Sequence, residues 1–169
     1  MTIVGLACGS GDGQQSPPAE TGAATSASPD TIEVTMGDFA YSPDTLTVPT
    51  GQEVTLAFTN TDTVEHYFVV GDTIATDKDG FRQNLFSDVS IEKHKQTEGH
   101  EGDEEHGEEE EHHANEFELP PGGSGTITFT LPPSKAGTYA IACFETTGGK
   151  KHYEMGMKGT LTVSPAPDN

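Results

Sequence analysis

The chain has 169 residues, 31% of them hydrophobic, no tryptophan and a formal net charge of −20 at neutral pH. That length predicts one domain with tails, and that charge argues against nucleic acid and anionic membrane surfaces as partners, since both would repel it. The two cysteines, Cys8 and Cys143, stand far apart with no CxxC pair, which excludes a disulfide framework and a cysteine-rich zinc site.

The first eight residues are a short, mostly apolar run ending at Cys8, and residues 9–30 hold almost no large apolar side chain. A stretch so rich in Gly, Ser, Ala, Pro and Thr cannot bury enough surface to offset ordering entropy, and reads as a flexible linker. Apolar run, cysteine and tether together resemble the end of a bacterial lipoprotein signal peptide. That resemblance places a lipid on Cys8 and the protein in the periplasm or outside the cell. Residues 1–30 lack a basic n-region, and seven residues fall short of an h-region, so they read as a truncated signal followed by a linker. No other segment approaches the roughly 20 apolar residues of a membrane span.

From Thr31 the character changes. Residues 31–36 alternate apolar and polar side chains as a half-buried strand does. Residues 37–43 are turn-rich, 45–48 form another short strand, and Pro49-Thr-Gly51 is a turn. Strands follow at 54–58, 64–70, 126–131, 139–143 and 159–163, separated by Asn, Asp, Gly and Pro. Short strands with Gly/Pro turns imply an all-β, antiparallel Greek-key sandwich over residues 31–165.

Between the 64–70 strand and Leu119 lies more chain than a hairpin needs. Within an insertion of about 72–115, residues 72–88 read as a loop with a short helix packed on the sandwich. Residues 92–114 read as low complexity and disordered. Five of the seven histidines (His94, His100, His106, His112 and His113) fall there, and nine of the 28 acidic residues fall in 98–111. Imidazoles with carboxylates bind Cu(II), Zn(II) or Ni(II) loosely, so this segment is either a metal-buffering loop or a solvated acidic one.

The remaining chemistry sits near the C-terminus, where Cys143, His152, Met155 and Met157 follow one another within 15 residues. A thiolate, an imidazole and a thioether suit copper, and a second imidazole would complete a trigonal site with a weak axial Met. Period-two alternation puts His66 on one face with Val64, Phe68 and Val70, and Cys143 on one face with Tyr139 and Ile141. Both point inward.

These residues carry a family resemblance. Residues 36–60, His66, 119–129, the strand 137–143 that ends on Cys143, and 152–163 with its Gly156-Met157 pair occur in the order seen in cupredoxins. The chain from about Thr31 to Val163 therefore resembles the small blue copper proteins related to plastocyanin and azurin. The resemblance implies one type 1 copper, with His66, Cys143 and His152 as equatorial ligands and Met157 as the axial one. Met155 and Glu145 are the alternatives for the axial position. It also implies that the edge of His152 reaches the surface as the electron port. Three departures stand out: eight residues separate Cys143 from His152, Glu145 lies in that loop, and Tyr67 follows His66 where many relatives carry a small polar residue.

The function expected is single-electron transfer between redox partners outside the cytoplasm, by a monomer that is not itself an enzyme. The membrane is involved only through a lipid on Cys8. The alternative is a periplasmic copper chaperone or metal buffer working through the His/Glu-rich loop. Lys150 and Lys151 either orient an acidic partner or are simply solvated.

Overall fold

A computed structural model describes residues 30–77, 79–96 and 115–166. Cys8 and the linker up to residue 29, and four of the insertion's histidines (His100, His106, His112 and His113), lie outside the described residues. So does the proposed lipid site.

Two five-stranded sheets face each other. The first joins β1 (Asp30–Gly37), β2 (Ala40–Ser42), β4 (Glu53–Asn60), β6 (Ile91–Gln96) and β8 (Ser124–Thr130), in the order β2-β1-β4-β8-β6. The second joins β3 (Thr45–Pro49), β5 (His66–Gly71), β7 (Phe117–Leu119), β9 (Gly137–Ala142) and β12 (Lys158–Ser164), in the order β3-β12-β9-β5-β7. From β2 to β9 successive strands alternate between sheets, so every turn crosses the core. Two residues apiece form β10 (Thr146–Thr147) and β11 (Lys150–Lys151), and a single turn of helix, α1 (His152–Met155), follows.

Alternation builds the core. Val54, Leu56 and Phe58 from β4 and Ile127 and Phe129 from β8 meet Phe68, Ile141, Leu161 and Val163 from the other sheet, all buried. Burying one face of each sheet is the main stabilising term, since each large apolar side chain removed from water contributes roughly 1.5–3 kcal/mol. β5 is covered on both faces. On its outer side Val69 packs with Ala142 and Phe144 under Ile74 and Phe81.

The structure is the all-β sandwich expected, with corrections in four places. Pairing is not purely antiparallel: β1 runs parallel to β4, and β3 parallel to β12. The segment taken as low complexity from Glu92 begins as strand β6, antiparallel to β8 from Ile91↔Phe129 to Gln96↔Ser124. An edge strand needs backbone partners on one side only and favours charged side chains, so the composition Glu-Lys-His-Lys hid it. Residues 72–88 hold no helix among the described residues. They form a loop pinned by bridges Gly71↔Asn84 and Ile74↔Phe81, with Leu85 and Phe86 in the main core. Gly71 is required there, because a Cβ on it would stand 2.4 Å from the Phe81 ring. The fourth correction is that β5 starts at His66 rather than Val64.

Candidate metal centre

The second sheet brings the chemistry to one end. β9 is antiparallel to both β5 and β12, so the end of β9, the start of β5 and the start of β12 adjoin. Cys143 follows β9, His66 opens β5 and Met157 precedes β12. All three are buried to 0% exposure, as is His152.

His66 Nδ1, His152 Nδ1 and Cys143 Sγ converge. The two Nδ1 atoms are 3.1 Å apart, Sγ is 3.4 Å from His152 Nδ1, and one ligand atom from each residue falls within 4.8 Å of the others. Among the described residues this is the one such group of His, Cys, Asp and Glu side chains. The set contains no carboxylate, so it suits neither calcium nor magnesium. Two imidazole nitrogens, a thiolate and a buried thioether close by fit copper.

Each donor is held from behind. His66 Nε2 lies 3.1 Å from Asp62 Oδ2, and His152 Nε2 lies 2.8 Å from Thr147 Oγ1. Tyr67 donates its backbone N–H to Cys143 Sγ at 3.2 Å. Asn60 organises the turn before His66: its side-chain amide lies within 3.0 Å of the Val64, Leu119 and Pro120 carbonyls, and its Oδ1 accepts from the Asp62 N–H. Phe39 sits edge-on to both imidazoles, 4.8 Å from His152 and 6.0 Å from His66 between centroids. It does so at φ 54°, a left-handed conformation that costs a bulky residue about 1–2 kcal/mol.

The long loop after Cys143 is an ordered hairpin. Gly148 and Gly149 turn it at φ 61° and 79°, β10 pairs with β11, and the His152 N–H closes it onto the Glu145 carbonyl at 2.8 Å. A two-residue Gly-Gly turn with both φ positive is what tight hairpins favour. After α1, Gly156 adopts φ 125°, the Met157 N–H returns to the His152 carbonyl, and the Cys143 N–H donates to the Met157 carbonyl. Backbone bonds thus fold Cys143, His152 and Met157 into one knot.

Electrostatics follow burial. The Cys143 thiol is pushed up to about 11, chiefly by desolvation and against the pull of the Tyr67 N–H. His152 is lowered, first by burial and then by the neighbouring His66. Asp62 is lowered, mainly by the Thr63 N–H it accepts.

Of the residues singled out in the sequence, His66, Cys143 and His152 come together, and Met157 is buried in the same core cluster as Cys143. Met155 is exposed. Glu145 lies outside the group and lines an open pocket of about 480 Å³ with Tyr67, Phe81 and Phe144. His152 was expected at the surface and is not: the hairpin and Phe39 cover its edge. Lys151 pairs with Asp79 at 2.9 Å, while Lys150 is exposed. His94 is exposed on β6. Sequence reasoning missed Asn60, Asp62 and Thr147. The Asn60-Thr-Asp62 turn before an inward histidine was the available signal for the first two.

Comparisons with known proteins bear on the family and the fold. A family model described as a cupredoxin-like domain matches residues 16–108, just over half the chain. A solved structure of reduced auracyanin from the photosynthetic bacterium Roseiflexus castenholzii is 30% identical, covers 82% of this chain and 100% of its own, and has a TM-score of 0.48. Auracyanin A, described as a "blue" copper protein from Chloroflexus aurantiacus, is 22% identical over 81% of this chain and 100% of its own, with a TM-score of 0.48. A multicopper oxidase from Campylobacter jejuni is 12% identical, matches 82% of this chain and 31% of its own at a TM-score of 0.52, and shows the fold alone. A search of curated protein sequences finds no match. The matched domain and the fully covered 30% relative place this chain in the cupredoxin-like family.

Proposed function

We propose that this protein carries single electrons on one type 1 copper ion, which His66, Cys143 and His152 would hold together with Met157. The observation that carries the reading is the buried convergence of two Nδ1 atoms and one Sγ within 4.8 Å. Met157 is favoured over Met155 because it is buried beside Cys143 while Met155 is exposed. When bound, copper supplies a Cu(I)/Cu(II) couple. The chain's own part is to keep the donor positions unchanged between the two states, so that little reorganises on transfer. The Tyr67 N–H withdraws density from the sulfur, and the full burial of all four side chains shields the site from solvent, both of which tune a potential. One copper stores one electron, which suits a carrier.

The electron's route differs from a bare histidine edge. His152 lies beneath Thr147, so transfer would pass through the β10–β11 hairpin, whose exposed Lys150 offers a contact to an acidic redox protein. We place the protein outside the cytoplasm, tethered through Cys8, on the strength of the N-terminal sequence.

Titrating the metal-free protein with Cu(II) tests the reading. An intense visible band from thiolate-to-copper charge transfer should appear, saturate at one equivalent and vanish in Cys143→Ser. A colourless complex with Cys143 intact would refute it.

A further inference from the structure

Among the described residues, two that are not glycine stand at positive φ, and they are neighbours: Asp38 at 52° and Phe39 at 54°. Together they make the turn between β1 and β2, whose last pair is Gly37↔Ala40. A two-residue hairpin with both central φ positive favours Asn-Gly or Asp-Gly. Asp38 fits the first place, but Phe39 stands in the second, where glycine would carry no strain. A bulky residue in this conformation persists only where its surroundings over-determine it.

Those surroundings are the metal centre. The Phe39 ring meets His152 at 4.8 Å and 74°, and His66 at 6.0 Å and 81°. Its turn is tied to both sides of the centre. The Asp38 N–H donates to Asp62 Oδ2, the same oxygen that lies 3.1 Å from His66 Nε2. Gly156, which follows α1, lies against the Phe39 carbonyl, where a Cβ would stand 3.8 Å from the oxygen. Phe39 is itself half-buried, while both imidazoles that it covers are 0% exposed.

We propose that Phe39 is a positioning residue whose ring closes the outer side of the centre and sets how readily small molecules and copper pass in and out. The strained turn separates this role from ordinary packing: glycine would suit the hairpin better, and phenylalanine suits the site. An apolar wall beside a metal site controls the access of solvent. The proposal rests on the copper reading for the identity of the metal, whereas the barrier to other reagents belongs to the chain alone.

Three variants of the full-length protein separate ring from strain. Phe39→Gly removes both, Phe39→Ala removes the ring and keeps the strain, and Phe39→Tyr keeps both. In urea unfolding of the metal-free protein, Phe39→Gly should show a higher midpoint than Phe39→Ala. Equal midpoints would overturn the strain argument. The first measure of access needs no metal: acylation by diethyl pyrocarbonate, read at each histidine by peptide mass spectrometry. His152 should react several-fold faster in both Phe39→Gly and Phe39→Ala, and at the natural rate in Phe39→Tyr. The second is transfer of Cu(I) from the loaded protein to excess bathocuproine disulfonate. It should quicken by about tenfold or more in the two ringless variants alike, in line with loss of an outer partner of a ligand. Phe39→Tyr should again match the natural protein. Rates that follow unfolding stability, with Phe39→Gly behaving like the natural protein, would make Phe39 a structural residue only. A protein that takes up no Cu(I) would refute the copper reading instead, and the acylation rates would still decide the role of the ring.

Discussion

The two halves of the centre are held in opposite ways. On the His66 side a buried side chain does the tying: Asn60 links the turn at Val64 to the Leu119–Pro120 segment and fixes Asp62, which in turn holds His66. On the other side, apart from the Thr147 hydroxyl against His152 Nε2, the ties are backbone to backbone. The Cys143, His152, Tyr153 and Met157 N–H groups all end on carbonyls of that same stretch. A ligand held through a side chain is exposed to single substitutions. A ligand held through backbone bonds tolerates most side chains but depends on glycine where φ is positive. The first half should therefore fail at one residue, the second at its turns.

The largest effect expected is at Asn60. Replacing it with alanine removes a side chain 1% exposed and leaves buried carbonyls without their donor, each costing about 1–3 kcal/mol. Asn60→Ala should lose about 2–4 kcal/mol in urea unfolding of the metal-free protein. A loss comparable with an exposed surface change would show that the two halves are not tied differently.

Next comes pH, which acts on the Cys143–His152 side. The Cys143 thiol ionises at about 11 in the fold, above its ordinary 9.0. Between those values the unfolded chain has released a proton that the folded one keeps, so stability is full below 9 and falls as pH rises toward 11. His152 has the opposite sign: its folded value is depressed below 6.5, so its contribution is present above 6.5 and lost as pH falls through the folded value. Metal-free stability measured against pH should decline on both flanks. Cys143→Ser should lose the alkaline decline that belongs to the thiol and keep the acid one.

The sequence made the ligands easier to read than their supports. His66 and Cys143 stood out because a polar or reactive side chain on an alternating apolar face is unusual, and β1, β4, β8 and β12 showed that alternation plainly. β6 did not, since its side chains, at most half-buried, pair a polar pattern with a backbone role. β7 was too short at three residues. Asp62 and Thr147 act through proximity created by turns, which composition does not encode. The hairpin was a missed opportunity: Thr146-Thr-Gly-Gly-Lys-Lys151 carries an ordinary two-residue turn signal, whereas the loop stood out in the sequence only by its length.

Gly149 tests the backbone-held half more gently. Its φ is 79° and a Cβ there would meet no atom within 4 Å, so Gly149→Ala probes conformation without a clash. It should cost about 1 kcal/mol and loosen Thr147 over His152. Fluorescence or circular-dichroism unfolding would register the loss. An unchanged midpoint would mean the hairpin contributes nothing to holding this half.

The smallest effect should come from the bond joining the hairpin to the 72–88 loop. Lys151 Nζ lies 2.9 Å from Asp79 Oδ1, but the aspartate side chain is 71% exposed, and water and salt screen such pairs. Coupling in exposed ion pairs is typically below about 1 kcal/mol. A double-mutant cycle of Lys151→Ala and Asp79→Ala should therefore give a coupling of about 0.5 kcal/mol or less, shrinking further in high salt. A larger, salt-insensitive coupling would mean that side chains, and not only the nested backbone bonds, hold the hairpin over His152, and the contrast between the two halves would narrow.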